Sequence, residues 1–254
     1  MGYLIGTDEA GYGPNLGPLV VSATVWQTPS DPGEVDLYKL LRQAVSATPP
    51  KSAAVNARRA SAGGGATTAA PAIKKVVWAD SKTLYKSGDG LGALETGLLA
   101  ALALCAARPA SCRDAWLALD PLAAGLLDRL PWHHDFESPL PVAADETTID
   151  ALAARLQTAT QQAGVRLLAV RSRAVFPEEW NGLLDEHGNK STVLSLLTLK
   201  LLTDALTSLD DGPVAVICDK HGGRNSYQAL LQRHVADYLV EVYAEGAERS
   251  TYRW

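Results

Sequence analysis

The chain has 254 residues, 47% of them hydrophobic and 20% charged, with a formal net charge of −5. That composition belongs to a globular protein of one domain with insertions or two small domains. It offers no apolar run near the roughly 20 residues a membrane helix needs. The three cysteines, Cys105, Cys112 and Cys218, have no zinc-type spacing and make an odd count, so buried free thiols are expected.

The opening, Met1 to Ile5, has neither the basic nor the apolar region of a secretory leader, and the chain is expected to be cytoplasmic. Residues 3 to 8 predict a buried strand that ends on the carboxylate of Asp8. The loop from Glu9 to Gly17 follows, with Gly11, Tyr12, Gly13 and Pro14, and a second strand over residues 18 to 26 completes a hairpin. Glycines beside a carboxylate let a backbone approach a sugar or phosphate closely. They equally serve a turn that needs positive φ.

From about 29 to 74 the composition turns to Ala, Ser, Thr, Gly and Pro, with a short helix expected around Asp36 to Ala44. Between Asp36 and Asp80 there is no acidic residue, while Lys39, Arg42, Lys51, Arg58, Arg59, Lys74 and Lys75 are all basic. Such a stretch is either an arm that attracts phosphate or a solvated insertion. Order resumes at Lys75 to Leu84, which contains Asp80, Ser81 and Lys82.

A helix is predicted over 91 to 107. An irregular insertion at about 108–144 follows, with an apolar stretch at 115 to 130, the pair His133-His134 on a solvated loop, and a proline-rich end. Acidic residues open a helix at Asp145, apolar positions recur at helical spacing through Ile149, Leu152, Ala153 and Leu156, and Gly164 stops it. Residues 165 to 175 read as a strand. Lys190 to Leu209 is the strongest helical pattern, with Val193, Leu194, Leu197, Leu201, Ala205 and Leu209 on one face. It leads to a strand, Val214 to Cys218, that also ends on a carboxylate, Asp219. A helix at 226 to 235 and strands at 238 to 243 and 251 to 254 finish an α/β pattern.

Ligands of α/β sheets gather outside the carboxyl ends of the strands. If the strands ending in Asp8-Glu9 and Asp219 are neighbours, these carboxylates share one crevice. There they would repel one another unless a cation held them. Hard oxygen donors select magnesium or manganese. Two such ions roughly 4 Å apart can activate a water and stabilise the leaving oxygen of a phosphodiester. An aspartate at a strand end is also a common cap or turn residue, and spacing alone does not choose between the two.

The residues Asp8-Glu9-Ala10-Gly11-Tyr12-Gly13-Pro14, followed by Gly17-Pro18-Leu19-Val20-Val21, resemble the opening signature of ribonuclease HII, Asp-Glu-Ala-Gly-Arg-Gly-Pro and then Gly-Pro-Val-Val. Asp80-Ser81-Lys82-Thr83-Leu84 is similar to that family's Asp-Ser-Lys-Lys-Leu, and the helix and strand leading to Asp219 are similar to those bearing its third carboxylate. The three motifs occur in the family's order, although only about a third of the chain matches closely.

The resemblance implies a ribonuclease H-like mixed sheet flanked by helices. It implies hydrolysis of the RNA strand of RNA–DNA hybrids or ribonucleotide-containing duplexes, with Mg2+ or Mn2+ held by Asp8, Glu9 and Asp219. It further implies that the Gly11–Gly13 turn reads ribose 2′-hydroxyls, the groups that distinguish RNA from DNA, and that Ser81 and Lys82 contact the substrate. A monomer with no membrane partner is expected.

Three departures stand against the pattern. Tyr12 replaces the family's arginine. A longer turn, Lys220-His221-Gly222-Gly223-Arg224, follows Asp219, either to bind phosphate or as an exposed basic loop. The segment carrying the family's fourth carboxylate has no counterpart, Asp237, Glu241 and Glu245 being possible substitutes. A chain that stops within a hairpin is expected to be a piece of a longer protein. The missing carboxylate leaves a non-catalytic nucleic-acid-binding protein as the alternative. An actin-like ATPase or sugar kinase would need a second glycine-rich phosphate loop, and the sequence has none.

Overall fold

The computed structural model describes residues 1–10, 17–49, 74–85, 90–234 and 239–254. In chain order these form β1 (Gly2–Ala10), β2 (Leu19–Thr28), α1 (Leu37–Leu40), β3 (Val45–Ser46), β4 (Val76–Val77), α2 (Ser81–Leu84), α3 (Gly92–Leu104), α4 (Cys112–Leu119) and α5 (Ala124–Leu127). There follow α6 (Glu146–Ala163), β5 (Arg166–Val175), α7 (Pro177–His187), α8 (Lys190–Leu206), β6 (Val214–Cys218), α9 (Gln228–His234), β7 (Glu241–Ala244) and β8 (Thr251–Arg253). The class is mixed α/β. None of the described helices is long and apolar enough to cross a membrane.

The chain divides into two compact units. The first comprises Met1–Gly33, Trp116–His134 and Leu168–Trp254, the second Glu34–Ala115 and Asp135–Leu167. The first unit is organised on a sheet of strand order β5-β2-β1-β6. β1 runs antiparallel to β2, with Ile5 opposite Val25 and Glu9 opposite Val21, and parallel to β6, with Tyr3 beside Val214 and Thr7 beside Cys218. Alternation dictates which face is covered. Val21, Ala23 and Val25 on β2 and Ile5 on β1 share one face, and with Val193, Leu194, Leu197, Leu201 and Ala205 of α8 they form a single buried cluster. The Asn189 side chain caps α8 by accepting from the Thr192 amide at 2.8 Å.

β1 extends two residues beyond the expected strand end, because Glu9 and Ala10 pair with Val21 and Val20. Glu9 is therefore a strand residue and not the first of the loop. α7 was not expected. Pro177 occupies its first turn, where its missing N–H costs nothing, and Gly188 at φ 77° closes the helix.

In the second unit, α3 packs against α6 and against β4 of the short parallel pair β3–β4. The Asp145 carboxylate accepts from the Thr148 amide at 2.8 Å and Gly164 ends α6 at φ 65°, as their sequence signals predict. The Glu95 carboxylate accepts the amides of Val142, Ala143 and Ala144 at 2.6, 2.7 and 2.9 Å, which fixes the approach to α6. The expectation of an irregular 108–144 needs correction, since α4 and α5 lie inside it. Ser111 and Asp114 cap α4 reciprocally: Ser111 Oγ accepts from the Asp114 amide at 3.1 Å and Asp114 Oδ2 from the Ser111 amide at 3.0 Å. Of the basic stretch, residues 50–73 lie outside the described residues.

Candidate metal centre

Because Thr7 and Cys218 are the last paired residues of two adjacent parallel strands, Asp8 and Asp219 follow at the same level of the sheet. Both are exposed. Each turns its Oδ1 onto the amide of the next residue, Asp8 to Glu9 at 2.8 Å and Asp219 to Lys220 at 3.0 Å. That common local geometry engages one oxygen of each carboxylate.

Glu9 registers the crowding. Its half-buried carboxyl is held above the ordinary glutamate value, first by burial, then by the charge of Asp8, then by that of Asp219. Glu9 therefore feels the charges of Asp8 beside it and of Asp219 from the neighbouring strand, although the two strands lie at opposite ends of the sequence.

The donor set is all oxygen and anionic, the chemistry that suits Mg2+ or Mn2+, and the mutual repulsion recorded at Glu9 is what a dication would relieve. In that respect the residues fit the ion. The side chains do not close on one point as they stand: among the described residues no group of three or more His, Cys, Asp or Glu is placed to hold a metal ion.

The turn after Asp219 is not an exposed loop throughout. His221 is 5% exposed and is not part of an exposed basic loop. Its Nδ1 lies 3.0 Å from Ser195 Oγ and its Nε2 3.5 Å from Thr198 Oγ1, both on α8. Burial is the main cause that pushes the imidazole down to about 4, against the pull of Asp219 and aided by Arg224, so the ring is neutral at pH 7. Ser195 Oγ donates to the Ser191 carbonyl at 2.8 Å. It must then accept from the ring, which assigns the proton to Nδ1.

Lys220 and Arg224, the expected phosphate contacts, both have partners within the chain. Lys220 Nζ donates to Asn225 Oδ1 at 2.9 Å and to the Gly246 carbonyl. Arg224 donates to Thr192 Oγ1 at 2.9 Å, and its Nε is buried with no hydrogen-bond partner among the described residues.

Ser81 and Lys82 open α2 in the second unit. The Asp80 carboxylate accepts the Lys82 amide there at 2.8 Å, so that aspartate acts as a helix cap. Gly11, Tyr12 and Gly13 lie outside the described residues, as does Asp237. Glu241 is exposed on β7. Glu245 accepts from Tyr252 Oη at 2.5 Å and Ser226 Oγ at 2.8 Å, and so ties the β7–β8 hairpin to the segment that precedes α9.

Sequence reasoning missed the seat of His221. The signal was present in Ser191, Ser195 and Thr198, which recur at helical spacing beside an apolar stripe and so call for a polar partner.

Compared with known proteins, the chain matches no protein-family model, no curated protein and no solved structure.

Proposed function

We propose that the chain is a metal-dependent nuclease of the ribonuclease H-like class. Within that class we propose the ribonuclease HII type, an endonuclease that hydrolyses the RNA strand of RNA–DNA hybrids or ribonucleotide-containing duplexes as a monomer. The observation that carries this reading is the emergence of Asp8-Glu9 and Asp219 from neighbouring parallel strands, with the charges of Asp8 and Asp219 both felt at Glu9.

Mg2+ or Mn2+, when bound, supplies Lewis-acid activation of water and charge neutralisation at the phosphate. Asp8 and Asp219 would hold the ion directly, and Glu9 would bridge or orient the ions. The Gly11–Gly13 turn is assigned to the ribose 2′-hydroxyl, and Tyr12 to stacking on the substrate in place of the family's arginine contact. Lys220 and Arg224 are assigned to the phosphates. Water oxygen attacks phosphorus, the bond from phosphorus to the 3′ oxygen breaks, and that oxygen takes up a proton, leaving a 3′-hydroxyl and a 5′-phosphate.

The test is cleavage of an RNA–DNA hybrid and of an all-DNA duplex with either ion, beside Asp8→Asn. Hybrid-only cleavage that the substitution abolishes is the expected result. A second reading, a nucleic-acid-binding protein without catalysis, is favoured by the absence of a closed metal-holding group among the described residues. Hybrid binding without cleavage, unchanged in Asp8→Asn, would select it.

A further inference from the structure

Asp219 stands beyond the last paired residue of β6, exposed to solvent, on a turn that contains two glycines in the left-handed region, Gly222 at φ 58° and Gly223 at φ 76°. Glycines at such angles leave the chain more conformational freedom than any other residue. A carboxylate that must meet a ligand at a fixed point cannot rely on such a turn alone, and something else has to hold it.

His221 is the residue so held, and every polar group it has is engaged. Its ring meets Ser195 at 3.0 Å and Thr198 at 3.5 Å. Its amide donates to Tyr227 Oη at 2.8 Å, and its carbonyl accepts from Ser191 Oγ at 2.8 Å. Three of these four partners lie on α8, the most deeply packed helix of the unit, in which Val193, Leu194 and Ser195 are fully buried. The fourth, Tyr227, is tied onward, because its amide donates to Tyr252 Oη at 2.8 Å on the β7–β8 hairpin. A buried polar side chain of this kind is costly unless all its bonds are made. It stands two residues from the carboxylate, with Lys220 between them fixed to Asn225 and Gly246.

We infer that His221 is a positioning residue for Asp219, its imidazole seated in the serine and threonine face of α8 so that the third carboxylate is held at the level of Asp8 and Glu9. The inference rests on the metal-site reading above. Ser195, although remote in sequence and unable to touch a ligand, belongs to the same device. Groups that orient a metal ligand from behind typically change metal affinity by about 10- to 100-fold when removed.

The experiment measures the dissociation constant of Mn2+ by electron paramagnetic resonance for the full chain, at a temperature well below unfolding. It compares wild type with Asp219→Asn, Ser195→Ala, Tyr227→Phe and Val25→Ala. Val25 is a buried core residue of β2 with no part in the turn, so it reports general destabilisation. A dissociation constant raised about 10-fold or more in Ser195→Ala or in Tyr227→Phe, with Val25→Ala within about twofold of wild type despite a lower Tm, is the expected outcome. Wild-type affinity in both Ser195→Ala and Tyr227→Phe overturns the inference and leaves the metal site standing. Should Ser195→Ala not fold, Tyr227→Phe decides alone. Wild type binding Mn2+ no better than Asp219→Asn overturns the metal reading itself, and the inference with it.

Discussion

Glu9 concentrates the electrostatics of the site in a single measurable group. Burial, Asp8 and Asp219 all raise its carboxyl, in that order. In a carbon-13 titration of the metal-free protein, Glu9 is expected to titrate above the ordinary glutamate value and to move downward in Asp219→Asn, because one like charge has gone. An unmoved titration would show that Asp219 does not face Glu9. At this scale the aspartates were legible in the sequence, since each ends a strongly apolar run. His221 was not. A histidine between lysine and glycines has the local composition of an exposed turn, and only the packing of a distant helix face makes it a buried, neutral group.

Elements with a complete set of local signals were legible. α6 has its capping aspartate, its apolar period and its closing glycine, and the structure follows them to within a residue. α7 has Pro177, two glutamates in the first turn and Gly188, but it lacks a capping side chain, since Phe176 stands at its start, and it was not legible. The reach of Glu95 to three amides of residues 142 to 144 had no local signal at all, because its partners lie far along the chain.

That latch makes a prediction. Burial works to raise the Glu95 carboxyl, but the three amides outweigh it and hold the group below its ordinary value of 4.5. A carboxyl lowered by folding contributes stability that is fully present above the unfolded value and is lost as pH falls through the lower, folded one. Glu95→Gln is therefore expected to cost about 2 kcal/mol at pH 7, and the difference from wild type to shrink in acid. Urea unfolding at pH 7 and near pH 3 measures both. A variant as stable as wild type at pH 7 would show that the latch contributes nothing.

For the whole molecule, the α/β class and the order of its major elements could be read from periodicity, but the division into two units could not. Each unit is assembled from separated stretches of chain, and the pairing of β1 with β6 joins residues near opposite ends of the sequence. Contacts at such separation leave no trace in local composition. The placement of Asp8 beside Asp219 therefore stood only as a condition in the sequence, and the sheet order supplies it.

The central claim is that these two strand ends make one metal-dependent nuclease site. Single-turnover cleavage of an RNA–DNA hybrid by wild type, Asp8→Asn, Asp219→Asn and the double variant tests it most directly. Each single substitution is expected to slow cleavage on the order of 100-fold or more, and the double variant to be no slower than the worse single, because residues that act as a unit are not additive. Cleavage by Asp219→Asn at the wild-type rate, or losses that multiply in the double variant, would contradict the claim.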